Sequence, residues 1–525
     1  MLLHGLLEAE KAPSKFKQII TGKTRSVILS QTFKSRNAPP KASAMVEALR
    51  GLGYNTQTAL ADIIDNSVAA GATEVKIEFA WSQAGSRITC LDNGVGMSAA
   101  GLDLAMRLGE RNPLEERAVS DLGRFGLGLK TASFSQCRRL TVSTLGADGL
   151  QSLRWDLDYL ANSPDGGWHL LEGPHPGSEE YTTPLSEAGR GTLVLWEELD
   201  RIITAGSTVQ DFLNLADKVE QHLGMVFHRY LDGTRPRLKI LLNGQVVKPW
   251  DPFMTEHPGK PYNPPVFKHP TLKGIEAECH VLPHKDMLSS EDFEVLAGPE
   301  GWTAQQGFYV YRNERLLVAG SWLGLGTGRS WTKDEAHRLA RIRLDIPNSA
   351  DADWKIDIRK STARPPVYLR DWLTRLAEAT RGRARRAFAH RGRPTLLGNK
   401  QVVEAWKVER LASGIRYRID SDHPAIRDVL DEAGALLPQI KAMLRVIEET
   451  VPVQRIWIDT AENRDTPCTG FEKTASSEVS EILMVMYRSM IEKKGYSASS
   501  AREQLRTTEP FHAFPSLVNA LPDNL

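Results

Sequence analysis

The chain has 525 residues, 66 Lys and Arg against 65 Asp and Glu, and 41% hydrophobic content. That length exceeds what one hydrophobic core organises, so about three domains are expected. The balanced charge excludes a uniformly basic nucleic-acid binder and an acidic disordered chain, which leaves any nucleic-acid surface as a local patch.

Residues 1–40 form a basic arm: eight Lys and Arg up to Lys41 face two Glu, without sustained apolar periodicity. Neither MLLHGLL nor any later run reaches the ~18 apolar residues that span a bilayer. Cys90, Cys137, Cys279 and Cys468 show no CxxC spacing, which argues against a disulfide framework or structural zinc and for a reducing, cytoplasmic setting. Residues 41–200 alternate a helix near 57–70 with β-type runs at 75–81, 86–92, 138–145 and 191–196, the pattern of an α/β layer domain. A helix near 209–231 leads into RLKILLNGQVV, where Asn243-Gly244 predicts a tight hairpin opening a second α/β domain over 201–394. That domain continues through GFYVYRNERLLVAG, ARIRLDI and WKIDIRKS to a helix over about 366–389. Residues 395–525 form a smaller α/β region, with an apolar-periodic helix near 425–450 and a strand expected at VQRIWID, 453–459.

Three stretches carry chemistry. In TALADIIDNSVAAGA, Asp62 and Asn66 lie one helical turn apart and project side by side with Ala69, while Asp65 points elsewhere. A carboxylate that polarises water beside a carboxamide that offers a hard oxygen to Mg²⁺ suits cation-assisted hydrolysis. In LDNGVGMS, Asp92 follows a β-type run and can accept a proton from the exocyclic amine of adenine, while Gly94 and Gly96 allow backbone to approach the base. In LGRFGLGLKTAS, Gly123, Gly126 and Gly128 precede a helix whose N-terminal N–H groups suit phosphates. The ITGKT at 20–24 lacks the first glycine of a phosphate-binding loop and is set aside.

These elements in this order resemble the GHKL ATPase superfamily of gyrase-type topoisomerases, large heat-shock chaperones, histidine kinases and MutL. The resemblance implies a Bergerat fold, a helix layer on a mixed sheet, binding ATP and Mg²⁺. It carries over Asp62 as general base and Asn66 as Mg²⁺ ligand, with Asp92 reading adenine beside Gly94, Gly96 and Met97. Phe125, Gly126, Leu127 and Gly128 offer backbone to phosphate with Gly123 and Lys130 close by, and Thr192 of GRGTLVLW stands near Asp92. Residues 99–122 correspond to an ATP-ordered lid.

DNSVAAGA, FGLGLKTAS and GFYVYRN look most like the Microrchidia group and its prokaryotic relatives over residues 40–390. The second domain then corresponds to the transducer, with Lys360, or Arg359 or Lys355, reaching the γ-phosphate. The superfamily usually has Glu where this chain has Asp62, one methylene shorter, so slow hydrolysis is expected.

The resemblance implies an ATP-gated homodimeric clamp on DNA, in a setting such as restriction or phage defence. Arg381, Arg383, Arg385 and Arg386, with the basic arm, offer phosphate contacts. The alternatives are a chaperone acting on protein clients, or a subunit of a topoisomerase or mismatch-repair machine. In CHVLPH, Cys279, His280 and His284 lack a further ligand pair and are read as packing.

Overall fold

A computed structural model describes residues 36, 38, 40–51, 53–109, 128–257, 264–348, 353–355, 363–389, 396–397, 400–411, 414–461 and 477–523. Helix α1 (Ala42–Arg50) ends in a buried arginine that donates to the Phe134 carbonyl and pairs with Asp200 at 2.5 Å. The Asn55 side chain accepts the Thr58 N–H and caps helix α2 (Thr56–Ala69), satisfying a donor that the first turn leaves over. Leu60, Ala61 and Ile64 of α2 are fully buried, so this helix lies inside the molecule.

There follow β1 (Glu74–Ala80), β2 (Arg87–Asp92), α3 (Ala99–Met106), α4 (Gly128–Phe134), β3 (Arg139–Gly146), β4 (Gly149–Asp156), β5 (Leu171–Glu172), β6 (Gly191–Glu197), α5 (Val209–Val226), β7 (Lys239–Leu242) and β8 (Gln245–Val246). The strands form one sheet in the order β5-β4-β3-β6-β2-β1-β7-β8, antiparallel except for β1 beside β7. Along β1, buried Val75, Ile77 and Phe79 alternate with exposed Lys76 and Glu78, which gives the sheet one covered face. On that face one core gathers Leu60 and Ile64 of α2, Phe134 of α4 and Phe212, Val219 and Leu223 of α5. The expected helix layer on a mixed α/β sheet is present.

The hairpin expected to open a second domain belongs instead to this first sheet. Ile240 and Leu242 pair beside Val75 and Ile77 of β1, and the Asn243 side chain accepts the Phe79 N–H at 2.8 Å. Helix α5 supplies the crossover that parallel pairing needs, and the pairing covers an edge that β1 would otherwise present. Asn243 and Gly244 take positive φ, 48° and 81°, which a two-residue hairpin turn requires.

A second sheet comprises β9 (Phe267–Lys268), β10 (Glu276–Val281), β11 (Gly307–Arg312), β12 (Arg315–Ser321) and β13 (Ala340–Asp345), in the order β12-β11-β13-β10-β9. Helix α6 (Val367–Ala389) lays Leu369, Leu373, Ala377 and Ala384 on it, the spacing of one helical stripe, against Ile342, Leu344 and Trp354. Further on, a hairpin of Trp406–Leu411 and Gly414–Ile419 precedes helices with a small core of their own around Leu483, Tyr487 and Phe511. Two expectations fail there. The helix near 425–450 is two helices, Pro424–Glu432 and Leu437–Thr450, parted at Gly434 with φ 48°. VQRIWID is helical, Val453–Ala461. Its β-branched residues suggest a strand, but Val453 and Ile456 fall three apart, and Pro452 just ahead is compatible with a helix start. Among the described residues no helix is long and apolar enough to cross a membrane.

Where the two sheets meet, Met225, Phe253, Tyr309, Tyr311 and Leu316 form a separate apolar cluster. His228 Nε2 lies 2.8 Å from Tyr311 Oη, Tyr230 Oη donates to the Asn313 carbonyl at 2.6 Å, and Arg229 pairs with Asp345 at 2.6 Å. Burial pushes both His222 and His228 down to about 4, and the Arg315 charge adds to the effect at His222. Between about pH 6.5 and 4 the unfolded chain therefore binds protons that the folded chain refuses, and stability falls as pH drops through that window. We expect melting near pH 5 to occur below that near pH 7.5, by at most about 2 kcal/mol per histidine, with His228→Gln removing its share. A melting temperature flat across that range would remove this assignment.

Candidate functional site

Strand register builds the first half of the site. Asp92 at the end of β2 lies opposite Thr192 of β6, which lies opposite Thr144 of β3. Asp92 Oδ1 accepts the Gly94 N–H at 2.9 Å and the Thr192 N–H at 3.2 Å, and Oδ2 accepts the Ser67 hydroxyl at 2.8 Å. A carboxylate has about four acceptor positions, so three donors leave one for a ligand. Burial pushes the Asp92 carboxyl up, and these three donors oppose it.

Close backbone approach shapes the same corner. Gly96 has φ 69°, and a Cβ there would lie 2.5 Å from the Leu145 carbonyl oxygen. The next residue, Met97, donates its N–H to Thr144 Oγ1 at 2.8 Å. At Gly191, φ 124°, a Cβ would lie 1.9 Å from the Asp92 carbonyl oxygen. We expect Gly191→Ala to cost about 3 kcal/mol or more, through overpacking against backbone and a disfavoured φ. A urea midpoint equal to that of the wild type would show instead that the strand end yields without cost.

The second half comes from α2. Asp62 is 5% exposed, and its Oδ2 accepts the Tyr54 hydroxyl at 2.8 Å. One turn on, Asn66 and Ala69 are exposed, and Asn66 Nδ2 donates to the Asp62 carbonyl at 3.0 Å. With its N–H used on the helix, the Asn66 amide has its oxygen to offer outward. Gly128, where α4 begins, abuts Asp62: a Cβ there would lie 3.6 Å from Oδ2. Lys130 is buried and donates from Nζ to the Ala105 carbonyl at 2.8 Å, tying α4 to the end of α3.

The structure thus groups Asp92, Gly94, Gly96, Met97 and Thr192 in one corner, and Asp62 with Asn66 and Gly128 in another. Ser67 of α2 joins the two through Asp92. Gly123, Phe125, Gly126 and Leu127 lie outside the described residues, as do Arg359, Lys360 and most of the expected lid. Lys355 is exposed in a turn with φ 47°.

Of the four nominated arginines on α6, two are engaged in packing. Arg381 faces Asp334 at 3.5 Å and sits 4.7 Å from the Trp322 ring, and Arg383 donates to the Cys279 carbonyl at 3.4 Å. Arg385 and Arg386 are exposed. His280 is buried against Glu278 at 3.2 Å and the Phe253 ring at 4.7 Å. Among the described residues no group of three or more His, Cys, Asp and Glu could hold a metal ion.

Four neighbours escaped the sequence reading. Ser67 carried a signal, since it follows Asn66 and turns toward the sheet. Thr144 and Tyr54 could be found only once strand register and helix entry were known. Arg315 could not be found at all: it lies on β12, yet its Nε meets Asp65 Oδ1 at 3.1 Å and its Nη2 lies 3.8 Å from Asp62 Oδ1.

Comparison with known proteins fits this geometry. Residues 54–192 match a family model described as histidine kinase-, DNA gyrase B- and HSP90-like ATPase. The matched stretch runs from Tyr54 to Thr192 and includes Asp62, Asn66, Asp92, Gly96 and Lys130. It supports the GHKL superfamily for this part of the chain, and with it ATP binding and hydrolysis. No curated protein matches the chain.

Proposed function

With a GHKL-type ATPase stretch over residues 54–192 as the premise, we propose that this protein is a slow ATPase whose nucleotide state gates a homodimeric, Microrchidia-like clamp on DNA. The observation that carries the nucleotide reading is Asp92, buried under three donors with one acceptor position left beside Gly96. That position suits the exocyclic amine of adenine, and the close backbone at Gly96 and Met97 suits its flat ring.

Asp62, held by Tyr54 and next to Gly128, takes the proton of the attacking water as general base. Mg²⁺ fits the outward oxygen of Asn66 together with substrate phosphates, where it would neutralise charge on the phosphoryl group. We assign phosphate to the backbone N–H groups of Gly123, Phe125, Gly126, Leu127 and Gly128, and Lys130 ties α4, which Gly128 begins, to α3. Lys360 is the residue we assign to the γ-phosphate from the second unit.

For the clamp, exposed Arg385 and Arg386 are the groups we assign to DNA, together with the basic charge of residues 1–40, nearly all of which lie outside the described residues. The test is particle mass with and without a non-hydrolysable ATP analogue, together with ATPase rate with and without duplex DNA. Doubling of mass on adding the analogue, and DNA binding that weakens with salt, are expected. A monomer throughout, with no DNA binding at low salt, removes the clamp; stimulation by unfolded protein would then favour a chaperone.

A further inference from the structure

We infer that Arg315 is a positioning residue for Asp62, through which the second unit makes the candidate base competent only when docked. This rests on the ATPase reading and extends it to a residue which that reading leaves unassigned. Arg315 opens β12 directly after the turn residues Asn313 and Glu314, whose φ values are 49° and 67°. That hairpin tip is fastened at separate points to the first unit. Tyr230 holds the Asn313 carbonyl, Arg229 pairs with Glu314 at 3.2 Å, and the Arg315 side chain enters α2.

The guanidinium is 4% exposed, and its planar fork is fully directed. Nη1 donates to the Leu316 carbonyl at 2.6 Å, Nε meets Asp65 at 3.1 Å, and Nη2 faces Asp62 Oδ1 at 3.8 Å. The last distance is an ion pair rather than a hydrogen bond, so Arg315 acts on the Asp62 carboxylate by charge and takes none of its lone pairs itself. Tyr54 holds the other oxygen, Oδ2. Asp62 is thus fixed at both ends, once by its own unit and once by the other. Fixing matters here because a carboxylate on a short stem must be placed closely to reach its water. Asp65, which the helical pattern sets aside, supplies the anion that anchors the fork.

The test uses the full chain, with kcat, nucleotide affinity and melting temperature measured for Asp62→Asn, Arg315→Lys, and the double variant Arg315→Gln with Asp65→Asn. The double variant removes the buried acid at position 65 together with the arginine, and its melting temperature reads whether the fold is kept. We expect its kcat to fall about tenfold or more with ATP affinity within about threefold, and Arg315→Lys to recover part of the loss. A double variant within about twofold of wild-type kcat, or faster, overturns the inference, as does a loss carried wholly by weaker ATP binding. If Asp62→Asn is inactive while the double variant is active, the base stands and Arg315 has no positioning role. If Asp62→Asn turns over normally, the base assignment falls and the positioning role falls with it.

Discussion

Asp62→Asn is expected to bind ATP as the wild type does and to lose turnover by ~10²–10⁴-fold, the range that a positioned general base contributes. The change is isosteric, so Tyr54 keeps an oxygen to donate to, and Arg315 keeps its closer anion, Asp65. What disappears is the other carboxylate oxygen, Oδ1, which faces Arg315, and with it the charge that makes Asp62 a base. Nucleotide affinity, followed with a fluorescent analogue, therefore stays within about threefold while single-turnover hydrolysis collapses. Unchanged hydrolysis would move the base to Asp65 or to another residue, and would make the buried ion pair with Arg315 a purely structural feature.

Asp92→Asn is expected to do the opposite and weaken ATP binding by roughly a hundredfold or more, with the fold retained. The native carboxylate accepts from Gly94, Thr192 and Ser67 at once. An amide has one oxygen and one NH₂, so its nitrogen must face either the two N–H groups or the hydroxyl and the adenine amine. Ser67→Ala removes one of three donors to the carboxylate, a charge-assisted bond worth about 1.5 kcal/mol or more, and should cost less affinity than Asp92→Asn. Titration of both variants with ATP checks the order; equal affinities for Asp92→Asn and wild type would displace adenine from this corner.

The corner around Asp92 was legible in the sequence because each half is local. A strand end followed by DNGVG suffices to nominate Asp92 and Gly96, the GHKL resemblance of GRGTLVLW adds Thr192, and register brings Asp92 and Thr192 together. Helix α2 was legible for a similar reason, since its apolar residues are dense. A helical wheel, however, describes one helix and not what lies over it. It ranked Asp65 as idle because Asp65 is off the Asp62–Asn66 face, although Arg315 of a distant hairpin reaches both acids. The same blindness to distant pairing assigned β7 to the wrong sheet: Ile240 and Leu242 read as the start of something new until β1 is seen to need a neighbour. At VQRIWID the residue types pointed to a strand and the three-residue apolar spacing prevailed.

The parallel strand β7 also decides where this polypeptide tolerates being severed. A piece ending at Asp200 would carry every motif residue from Asp62 to Thr192, yet it would bare the edge of β1 and strip Phe212, Val219 and Leu223 from the core. The smallest autonomous nucleotide-binding fragment accordingly ends beyond Val247. That fragment would still hold two buried acids on α2 without the arginine that faces them.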